Sequence, residues 1–494
     1  MKLSWLLTAG SVLTALLLAA LFPPLGWSAL APVALTPLLF ALAHEPRAGR
    51  RFLYGWLCGA LYWALVCYWI RDTLAAYGGL NTALSWLALF LFAAAKGLHA
   101  AVFATLAGPL MRRWWAIPAV AALWTGIERT HGPLGFAWLA LGNAGAGMAV
   151  PMRLAPWVGV YGLSFVFAMI ASAAAVLALR RRRLELAWLL PLAALWALPP
   201  LEQRSVYDRE AVAVQPNVAA DTRWDDDTLR ATTRRLALRT LQTALDPARP
   251  PAALLLWPEV PAPFYYYDDP QFRREATETA RLARAPFLFG TVAYTPAREP
   301  LNSAVLLDAS GRLAGRYDKA RLVPFGEFVP AGFRWIRKIS SEAGDYAPGE
   351  GAKILQAGEH SLGVFICYES AFPEYVREFA AQGAEALVNL TNDGYFGTSA
   401  ARAQHLLLAR MRAAENRRWL LRAANNGITA SVSPSGQVWG RFPEYVLHAG
   451  RLPFRYLTAR TFYTRHGDWF AWLCLAAGLG AVLATQIPVY NPLE

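Results

Sequence analysis

The sequence predicts an α-helical membrane bundle joined to a separate α/β domain, and three features support that prediction. The chain has 494 residues, which exceeds the length of one ordinary domain. It is 56% hydrophobic and only 16% charged, whereas soluble proteins are about 45–50% apolar and about 25% charged. Long apolar runs occupy the two ends of the chain, and a more polar region lies between them. This composition excludes a disordered chain and argues against a wholly soluble one.

Eight apolar stretches are long enough to cross about 30 Å of hydrocarbon. They span residues 5–22, 25–43, 52–70, 80–108, 114–130, 157–179, 185–200 and 469–488. The fifth and seventh are short and are interrupted by Pro118 and Pro191. The first is longer than the apolar core of a signal peptide, so we expect a retained anchor. Residues 1–201 are therefore predicted to form a membrane domain of seven helices, and residues 467–494 an eighth helix and the C-terminus.

The basic residues of the apolar region indicate an orientation. Residues 1–201 contain 14 Lys and Arg but only four Asp and Glu. Ten of these basic residues fall in loops on the side of the amino terminus and three on the opposite side, which predicts a cytoplasmic amino terminus. Seven spans then put residues 202–466 outside the cytoplasm. The same holds if the fifth and seventh spans are both absent, whereas the absence of only one of them would put these residues in the cytoplasm. Most of the net charge of +13 is thus an orienting charge, and we expect no binding of nucleic acid.

Residues 202–466 are predicted to form one α/β domain. Apolar, strand-like runs recur at 211–215, 253–257, 286–292, 303–308, 361–366, 385–390 and 428–433. Helical patterns lie between several of these runs, at 225–244, 270–284, 371–382 and 400–417. Alternation of this kind favours a layered sheet with helices on its faces.

Several large enzyme classes find no support in the sequence. It contains no P-loop, dinucleotide fingerprint, HExxH or G-x-S-x-G motif. The seven histidines are scattered without metal-ligand spacing, so we expect no metal. The four cysteines include no CxxC pair and three of them lie in apolar runs, so we expect no disulfide framework.

Polar residues at strand ends are candidates for catalysis, because α/β sheets bind ligands at such ends. Glu259 follows an apolar strand and lies between Pro258 and Pro261, where partial burial would suit it to act as a general base. Lys319 is one of only five lysines in a chain with 42 arginines. The proton affinity of lysine can be tuned by its surroundings, whereas that of arginine cannot. Taken singly, each residue is also compatible with an ordinary surface position.

Cys367 is the only cysteine outside the predicted spans. It ends an apolar strand and precedes a helix that we predict to start near Pro373. We expect its thiol to gain acidity from the start of that helix and from a cation such as Lys319. Taken alone, an inert buried cysteine is the simpler interpretation. Together with Glu259 and Lys319, however, it supplies a nucleophile beside a base and an electrostatic stabiliser.

Longer motifs around these residues resemble one family. The order WPE at 257–259, YDKxxLVPFGE at 317–327 and CYE at 367–369 resembles the nitrilase superfamily. Further motifs extend the resemblance over nearly the whole chain: YGLSF at 161–165, Trp124, Glu128 and Arg129 before GFAWLALG at 135–142, NLTNDGYFG at 389–397, ARMRAAENRRWLLRAANNGITA at 409–430, and FYTRHGD at 462–468. With a polar domain between the seventh and eighth predicted spans, the chain resembles the apolipoprotein N-acyltransferase family.

The resemblance implies a nitrilase-like αββα sandwich for residues 202–466 and a role for each matching residue. Glu259 would be the general base, Lys319 would stabilise the oxyanion, and Cys367 would carry the acyl group as a thioester. Supporting roles are implied for Glu327, which would position the triad, for Tyr368 and Glu369 after the cysteine, and for Trp224 on a loop over the site.

Two residues depart from the family pattern, and neither belongs to the triad. Arg321 stands where His is usual, and Ala137 stands where Pro is usual in GFPW. Amphipathic aromatic residues favour membrane interfaces, and those near the motifs suggest a lid through which acyl chains enter, with ordinary packing as the alternative. The lid candidates are Phe264, Tyr265, Phe328, Phe333, Tyr395 and Phe396. Lys96 and His99, in the fourth predicted span, should face protein or water.

The implied reaction moves a fatty acyl chain from a membrane phospholipid to the α-amino group of an apolipoprotein's N-terminal diacylglyceryl-cysteine, the last step of bacterial lipoprotein maturation. It implies a multi-pass protein of the inner membrane with a periplasmic catalytic domain and no cofactor, since the phospholipid ester is the acyl source. We expect a monomer and ping-pong kinetics. Two alternatives remain: a membrane-tethered nitrilase-type amidase that uses water as acceptor, and a transporter with a binding domain, which the few paired charges in the spans disfavour.

Overall fold

The computed structural model describes residues 2–134, 136–202, 206–219, 221–329 and 346–486. The chain divides into two compact units. A helical unit consists of the chain up to Asp72, of Asn81–Leu201 and of the chain from His466 onwards. An α/β unit consists of Thr73–Leu80 and Glu202–Arg465. Residues 73–80, which the sequence groups with the membrane domain, therefore belong to the α/β unit.

Helices occur in both units of the described chain. The α-helices are α1 (Lys2–Ala20), α2 (Thr36–His44), α3 (Ala48–Val66), α4 (Trp69–Tyr77), α5 (Thr82–Leu110), α6 (Ala116–Arg129), α7 (Ala155–Ala178), α8 (Asp226–Ala244), α9 (Pro270–Ala283), α10 (Pro373–Gln382), α11 (Ala401–Asn416), α12 (Phe462–His466) and α13 (Trp469–Ala484). The 3-10 helices are Ser28–Val33, Leu141–Gly147, Pro151–Leu154, Arg183–Trp196, Cys367–Ala371 and Asp393–Phe396.

The helical unit contains helices that are long and apolar enough to cross a membrane. Among the described residues, Thr82–Leu110 and Pro151–Ala178 meet both requirements. Helices α3 and α4, which bend by 53° at their junction, form a third span if they are counted together. The segments Ser4–Ala20, Ser28–His44 and Trp469–Ala484 are apolar but shorter. A helical unit with membrane-spanning helices is thus supported, and the number of eight spans stays a prediction.

The seventh predicted span is not an α-helix. Residues Arg183–Trp196 form a 3-10 helix that contains Pro191, and proline lacks the N–H group that an α-helix interior requires. A 3-10 helix rises about 2.0 Å per residue, so its 14 residues extend about 28 Å. The segment therefore has nearly the length of a membrane crossing, although its backbone differs from the one predicted.

Three polar side chains within the predicted spans face protein: Arg129, Lys96 and His99. Arg129 at the end of α6 is buried and pairs with buried Asp468, with 2.5 Å between Nε and Oδ2. Arg129 is therefore not the loop charge that the sequence suggests. Lys96 is buried and its Nζ lies 2.5 Å from Nδ1 of His131. The His99 ring stacks on that of His131 with 3.9 Å between centroids, so the expectation that Lys96 and His99 face protein or water is confirmed.

The α/β unit contains two six-stranded sheets. Its strands are β1 (Arg209–Gln215), β2 (Leu254–Leu256), β3 (Phe287–Tyr294), β4 (Pro300–Leu307), β5 (Leu313–Asp318), β6 (Ile354–Ala357), β7 (His360–Ile366), β8 (Ala386–Thr391), β9 (Leu420–Ala424), β10 (Ala430–Val432), β11 (Val438–Trp439) and β12 (His448–Phe454). The strand orders are β12-β1-β2-β3-β4-β5 and β11-β10-β9-β8-β7-β6. Strands β1 to β3 and β7 to β9 run parallel, and the outer strands pair antiparallel.

Both faces of the first sheet are buried. Val212, Leu255 and Phe287 pack in a core with helices α8 and α9, and the alternate residues Ala213 and Leu256 are equally buried on the opposite face. Helices α10 and α11 pack on the second sheet, and the two sheets contact each other. The order helix, sheet, sheet, helix is an αββα sandwich, in agreement with the resemblance.

The sequence predicts most of these elements, because strands buried on two faces appear as continuous apolar runs. The four predicted helices of this unit correspond to α8 to α11. The seven predicted strands correspond to β1 to β4, β7, β8 and β10. Strand β9 was missed because Arg422 interrupts its apolar run, and Arg422 is nevertheless fully buried.

Candidate active site

The three catalytic candidates follow strands of both sheets. Glu259 follows β2 and Lys319 follows β5 in the first sheet, and Cys367 follows β7 in the second. Lys319 Nζ lies 3.2 Å from Glu259 Oε1. The charges of both residues act on the thiol of Cys367. The fold therefore brings together three residues that lie far apart in the sequence.

Glu259 is a buried carboxylate with three donors around it. Its Oε1 accepts hydrogen bonds from Asn302 Nδ2 at 2.7 Å and from Lys319 Nζ at 3.2 Å. Its Oε2 accepts from the backbone N–H of Asn392 at 2.8 Å. Gly290 on β3 lies so close to this turn that a Cβ there would come within 2.8 Å of the Glu259 Cα. The carboxylate is thus fixed in position, as a general base must be.

Lys319 is a cation shared by two carboxylates. Its Nζ donates to Glu327 Oε1 at 2.8 Å as well as to Glu259 Oε1, and the residue is only 1% exposed. Burial by itself lowers the pKa of this lysine, but the two carboxylates outweigh burial and raise the pKa of Lys319 well above its ordinary value. Lys319 therefore stays a cation and cannot serve as a proton acceptor.

Asn302 is a site residue that the sequence analysis missed. It lies on β4, and its Nδ2 donates to Glu259 Oε1 at 2.7 Å and to Glu327 Oε1 at 2.9 Å. Glu327 Oε2 accepts from the backbone N–H of Val323 at 2.8 Å, so Glu327 holds both the asparagine and its own loop. An asparagine within the apolar strand PLNSAVLL is the only signal in the sequence. We call Glu259, Lys319, Glu327 and Asn302 the carboxylate cluster.

Cys367 occupies a strained turn between β7 and a 3-10 helix. Its φ of +50° lies in the left-handed region, which costs a non-glycine residue about 1–3 kcal/mol. His405 Nε2 lies 2.9 Å from the Cys367 carbonyl oxygen. Glu369 Oε2 accepts from the backbone N–H of Ile366 at 2.7 Å. The turn is thus held at the nucleophile and at the residue before it.

The thiol of Cys367 is less acidic than the sequence predicts. Burial has the largest effect and raises the pKa of Cys367 well above its ordinary value. The negative charges of Glu259 and Asp393 raise this pKa further, and Lys319 lowers it. The prediction of an acidic thiol is therefore wrong: Lys319 does lower the pKa of Cys367, but burial and the charges of Glu259 and Asp393 outweigh it. If this thiol acts as a nucleophile, it needs a base at the moment of attack.

Glu369 connects the loop that follows Lys319, which we call the lysine loop, with the strained turn at Cys367, which we call the cysteine turn. Its Oε1 accepts from the backbone N–H groups of Ala320 at 2.8 Å and Arg321 at 3.0 Å. Its Oε2 accepts from Ile366 N at 2.7 Å, and the Tyr317 hydroxyl lies 2.7 Å from both oxygens. Burial raises the pKa of Glu369 to about 7 although these donors oppose the shift. One carboxylate thereby ties the backbone after Lys319 to the backbone before Cys367.

A second buried cluster contacts the backbone of Cys367. Arg422 Nη2 lies 2.7 Å from Asp393 Oδ2, and His405 Nδ1 lies 2.9 Å from Asp393 Oδ1. All three side chains are fully buried, and we call them the histidine cluster. Because these three residues come from separate elements, their spacing in the sequence gave no sign of the cluster. Its only signal was that Asp393 and Arg422 lie within two of the motifs that carry the family resemblance.

Tyr395 is the lid candidate with the clearest connection to the carboxylate cluster. Its side chain is 49% exposed. Burial and then the charges of Glu259 and Glu327 raise its pKa, which puts its hydroxyl within electrostatic reach of the carboxylates. The Tyr395 carbonyl accepts a hydrogen bond from Thr73 Oγ1 at 2.9 Å, and its ring meets that of Tyr77 edge-on at 5.4 Å. Residues 73–80 therefore support this loop within the α/β unit.

The other aromatic candidates occupy different environments. Three of them are partly exposed: Tyr265, Phe328 and Phe396. Phe264 is buried and its ring stacks on Phe272 at 4.4 Å. Trp224 packs against the same hydrophobic core. Phe333 lies outside the described residues. The structure thus gives Phe264 and Trp224 packing contacts in and beside the core.

The departures from the family pattern leave the catalytic residues in place. The Arg321 guanidinium lies over the rings of Phe372 at 5.7 Å and Tyr375 at 5.4 Å. The Tyr368 ring packs edge-on against Phe372 at 5.0 Å. Ala137 is buried in the helical unit. Arg321 therefore packs against these two rings.

The arrangement suits nucleophilic acyl transfer. Glu259 can accept the thiol proton, Cys367 can attack a carbonyl carbon, and Lys319 can stabilise the oxyanion that forms. Among the described residues, no group of three or more His, Cys, Asp or Glu is arranged to hold a metal ion.

Two family models match the chain. The carbon-nitrogen hydrolase model matches residues 211–447. The apolipoprotein N-acyltransferase N-terminal domain model matches residues 14–173. The first match covers nearly all of the α/β unit and the second most of the helical unit, so the two together span both parts of the molecule.

Curated relatives align over almost their whole length. The apolipoprotein N-acyltransferase of Geobacter metallireducens is 33% identical, and the alignment covers 96% of this chain and 94% of that protein. The enzymes of the same name from Chlorobaculum tepidum and Pseudomonas syringae are 29% and 31% identical, over 95% and 94% of their lengths and 96% and 93% of this chain. Among solved structures, an amidase from Nesterenkonia sp. is 20% identical with a TM-score of 0.39, covering 53% of this chain and 94% of that one.

Proposed function

The chain belongs to the apolipoprotein N-acyltransferase family, and we propose that it moves a fatty acyl chain from a membrane phospholipid to the α-amino group of an apolipoprotein's N-terminal diacylglyceryl-cysteine. It is an acyltransferase of lipoprotein maturation. The observation that carries the proposed mechanism is the placement of Cys367 within reach of the charges of a fixed carboxylate, Glu259, and of the cation paired with it, Lys319.

The first half-reaction forms a thioester. Glu259 takes the proton from Cys367 Sγ as the sulfur attacks the ester carbonyl carbon of the phospholipid. The carbonyl oxygen becomes an oxyanion, which the Lys319 ammonium stabilises. The intermediate collapses with cleavage of the carbon–oxygen ester bond. The departing glycerol oxygen takes the proton from Glu259, so the products are a lysophospholipid and an acylated Cys367.

The second half-reaction forms an amide. The neutral amine of the acceptor cysteine attacks the thioester carbonyl carbon, and Glu259 removes a proton from the nitrogen. Lys319 again stabilises the oxyanion. Collapse breaks the carbon–sulfur bond, and the proton held by Glu259 returns to the Cys367 sulfur. Two substrates thus react in turn at one thiol, which gives ping-pong kinetics.

A membrane location follows from both substrates, which are embedded in a bilayer. We assign residues 1–201 and 467–494 to the membrane and residues 202–466 to the periplasmic side of the bacterial inner membrane. The ten-to-three distribution of loop charges supports a cytoplasmic amino terminus. Arg129 is buried and paired with Asp468, so it no longer counts as a loop charge on the opposite side, and the bias becomes stronger. The 14-residue 3-10 helix supports an odd number of crossings before the catalytic domain.

The aromatic loops are proposed to admit the acyl chain. Tyr395, Tyr265, Phe328 and Phe396 are exposed or partly exposed. An apolar chain that enters between them would exclude water from the thioester, and exclusion of water favours the amine over hydrolysis. Phe264 and Trp224 would support this surface through the core below it.

The test of the proposed function is the intact mass of the purified protein after incubation with a diacyl phospholipid. The wild type should gain the mass of one fatty acyl group, and neutral hydroxylamine should remove it. A Cys367→Ala variant should gain nothing. Addition of a diacylglyceryl-cysteinyl peptide should discharge the wild-type adduct and yield an N-acylated peptide.

Three results would contradict the proposal. An adduct that survives hydroxylamine or persists in Cys367→Ala would remove the thioester from Cys367. Release of free fatty acid at the same rate with and without the peptide would instead identify water as the acceptor and favour a hydrolase. A protein that forms neither adduct nor fatty acid would lack the first half-reaction.

A further inference from the structure

We infer that His405 is a positioning residue for the nucleophile: it holds the carbonyl of Cys367 and thereby aims the thiol, and Asp393 and Arg422 hold His405 in turn. This inference deepens the proposed function and rests on it where the lipid reaction is concerned. It concerns a cluster that neither touches the acyl group nor exchanges a proton with it.

The contact between His405 and Cys367 determines where one ring proton lies. His405 Nε2 is 2.9 Å from the Cys367 carbonyl oxygen, and a carbonyl oxygen can only accept a hydrogen bond. Nε2 must therefore carry a proton in either charge state of the ring. The hydrogen bond acts on the backbone of the nucleophile itself, at the residue with φ of +50°.

The other ring nitrogen is held by two charged partners. Burial, followed by the charge of Arg422, lowers the pKa of His405, so the ring is neutral near pH 7. Nδ1 then accepts a hydrogen bond from Arg422 Nη2 at 3.0 Å. Asp393 Oδ1, 2.9 Å from the same nitrogen, would accept the proton of a charged ring. The ring orientation is thus maintained in both protonation states.

Asp393 and Arg422 are themselves immobilised. Burial raises the pKa of Asp393, but Arg422 and His405 outweigh burial and hold that pKa well below its usual range. Asp393 Oδ1 also accepts from the Thr391 hydroxyl at 3.0 Å. A Cβ at Gly427 would collide with the Asp393 carboxylate, so the carboxylate fills its space completely. The cluster therefore holds His405, and with it the hydrogen bond to the Cys367 carbonyl, in a fixed position.

The strained backbone at Cys367 explains why this support is needed. A left-handed backbone at a cysteine persists only where its surroundings impose it. Without the hydrogen bond to its carbonyl, the turn can relax and carry Sγ away from the position where Glu259 and Lys319 act. A displacement of about 1 Å at a reacting atom can lower a rate by about 100-fold. A purely structural network would reduce stability and leave this rate unchanged.

The test compares three single variants of the full-length protein in detergent. His405→Leu removes the donor, and His405→Gln keeps an N–H donor near the position of Nε2. Asn416→Leu is the matched control, because Asn416 is fully buried on the same helix α11 and bonds to Arg412 and Thr464. Two rates are measured: alkylation of Cys367 by iodoacetamide, followed on its tryptic peptide, and the burst of p-nitrophenol from a short-chain p-nitrophenyl ester. Thermal midpoints are measured alongside.

The expected result is a loss of rate that does not follow the loss of stability. His405→Leu should slow the ester burst by about 100-fold with a change of less than about 3-fold in KM. His405→Gln should recover the rate to within about 10-fold of wild type. Asn416→Leu should lower the thermal midpoint and keep both rates.

Three results would overturn the inference: wild-type rates in folded His405→Leu, no recovery in His405→Gln, or an equal loss of rate in Asn416→Leu. If His405→Leu does not fold, Asp393→Asn replaces it, and equal rates in Asp393→Asn and wild type overturn the inference. A wild type that gives the ester burst but no phospholipid adduct refutes the proposed function and leaves the role of His405 to be decided by the same variants.

Discussion

The two buried clusters at Cys367 have opposite charge arrangements. In the carboxylate cluster one cation, Lys319, is shared by two carboxylates. In the histidine cluster one carboxylate, Asp393, is shared by Arg422 and a neutral His405. The first cluster therefore has one excess negative charge, and the second is balanced.

This difference in charge matches a difference in proposed role: the carboxylate cluster takes part in the chemistry, and the histidine cluster supports it. An unbalanced charge in a low-dielectric interior is costly, and such charges concentrate at functional sites. Burial and then the negative charge of Glu259 raise the pKa of the Cys367 thiol, and in the proposed mechanism Glu259 is also the acceptor for its proton. The balanced cluster contacts Cys367 at its backbone carbonyl. One cluster is built to take up a proton, and the other to remain unchanged during the reaction.

Among the variants that test this comparison, Lys319→Met should show the largest loss of acylation rate and of stability. It leaves Glu259 and Glu327 buried without their cation and removes the charge beside the oxyanion. Loss of one such stabilising group lowers kcat by about 10²–10³-fold. Loss of a buried ionic partner destabilises a protein by about 3–5 kcal/mol. The rate of acyl-enzyme formation and the thermal midpoint in detergent measure the two effects.

The double variant Lys319→Met with Glu327→Gln separates the two contributions. It removes one positive and one negative charge together, so it should regain part of the thermal midpoint. The rate of acyl-enzyme formation should stay at the level of the single variant. Recovery of the rate as well would mean that Lys319 serves only to balance charge.

Glu369→Gln should have an intermediate effect that depends on pH. Burial raises the pKa of Glu369 from its ordinary value of 4.5 to about 7, so the folded protein binds this proton more tightly than the unfolded chain does. The resulting stabilisation is complete below about pH 4.5 and is lost as the pH rises through about 7. The thermal midpoint of the wild type minus that of Glu369→Gln should therefore fall between pH 4.5 and pH 8.

The size of this effect is on the order of 2–4 kcal/mol over that range. The acylation rate of Glu369→Gln should drop by about 10-fold, because an amide NH₂ would face the backbone donors that now hold the lysine loop and the cysteine turn. Parallel pH profiles of the thermal midpoint in the two proteins would contradict the assignment of this titration to Glu369.

The smallest effect is expected at the lid, which lies outside both clusters. The pair Phe328→Ser and Tyr395→Ser should reduce turnover of a long-chain phospholipid by about 5-fold, since the loss of about 1 kcal/mol of apolar contact corresponds to a factor of that size. Turnover of a short-chain ester should not change. Tyr207→Ser is the control, because Tyr207 is an exposed aromatic whose ring contacts Trp439 instead. Unchanged phospholipid turnover in the folded double variant would show that these side chains are ordinary packing.

The sequence was sufficient for those parts of the molecule that a local pattern specifies. Periodic apolar runs predicted helices α8 to α11 and seven strands of the sandwich. The positions of Glu259 and Lys319 at strand ends predicted that they would meet, and they lie 3.2 Å apart. The interruption at Pro191 marked the one predicted span whose backbone is not α-helical. In each case the signal is a pattern formed by residues that are close in the sequence.

Only the tertiary structure decided the electrostatics of the site. Asn302 is marked only by its place in an apolar strand, and His405 by nothing local, because their partners lie on other elements. The acidity of Cys367 was predicted with the wrong sign, since the sequence does not show how deeply the thiol is buried or that Glu259 and Asp393 lie near it. Secondary structure follows from the pattern of neighbouring residues, whereas the charge felt by one atom is a sum over distances that exist only after the two sheets have packed.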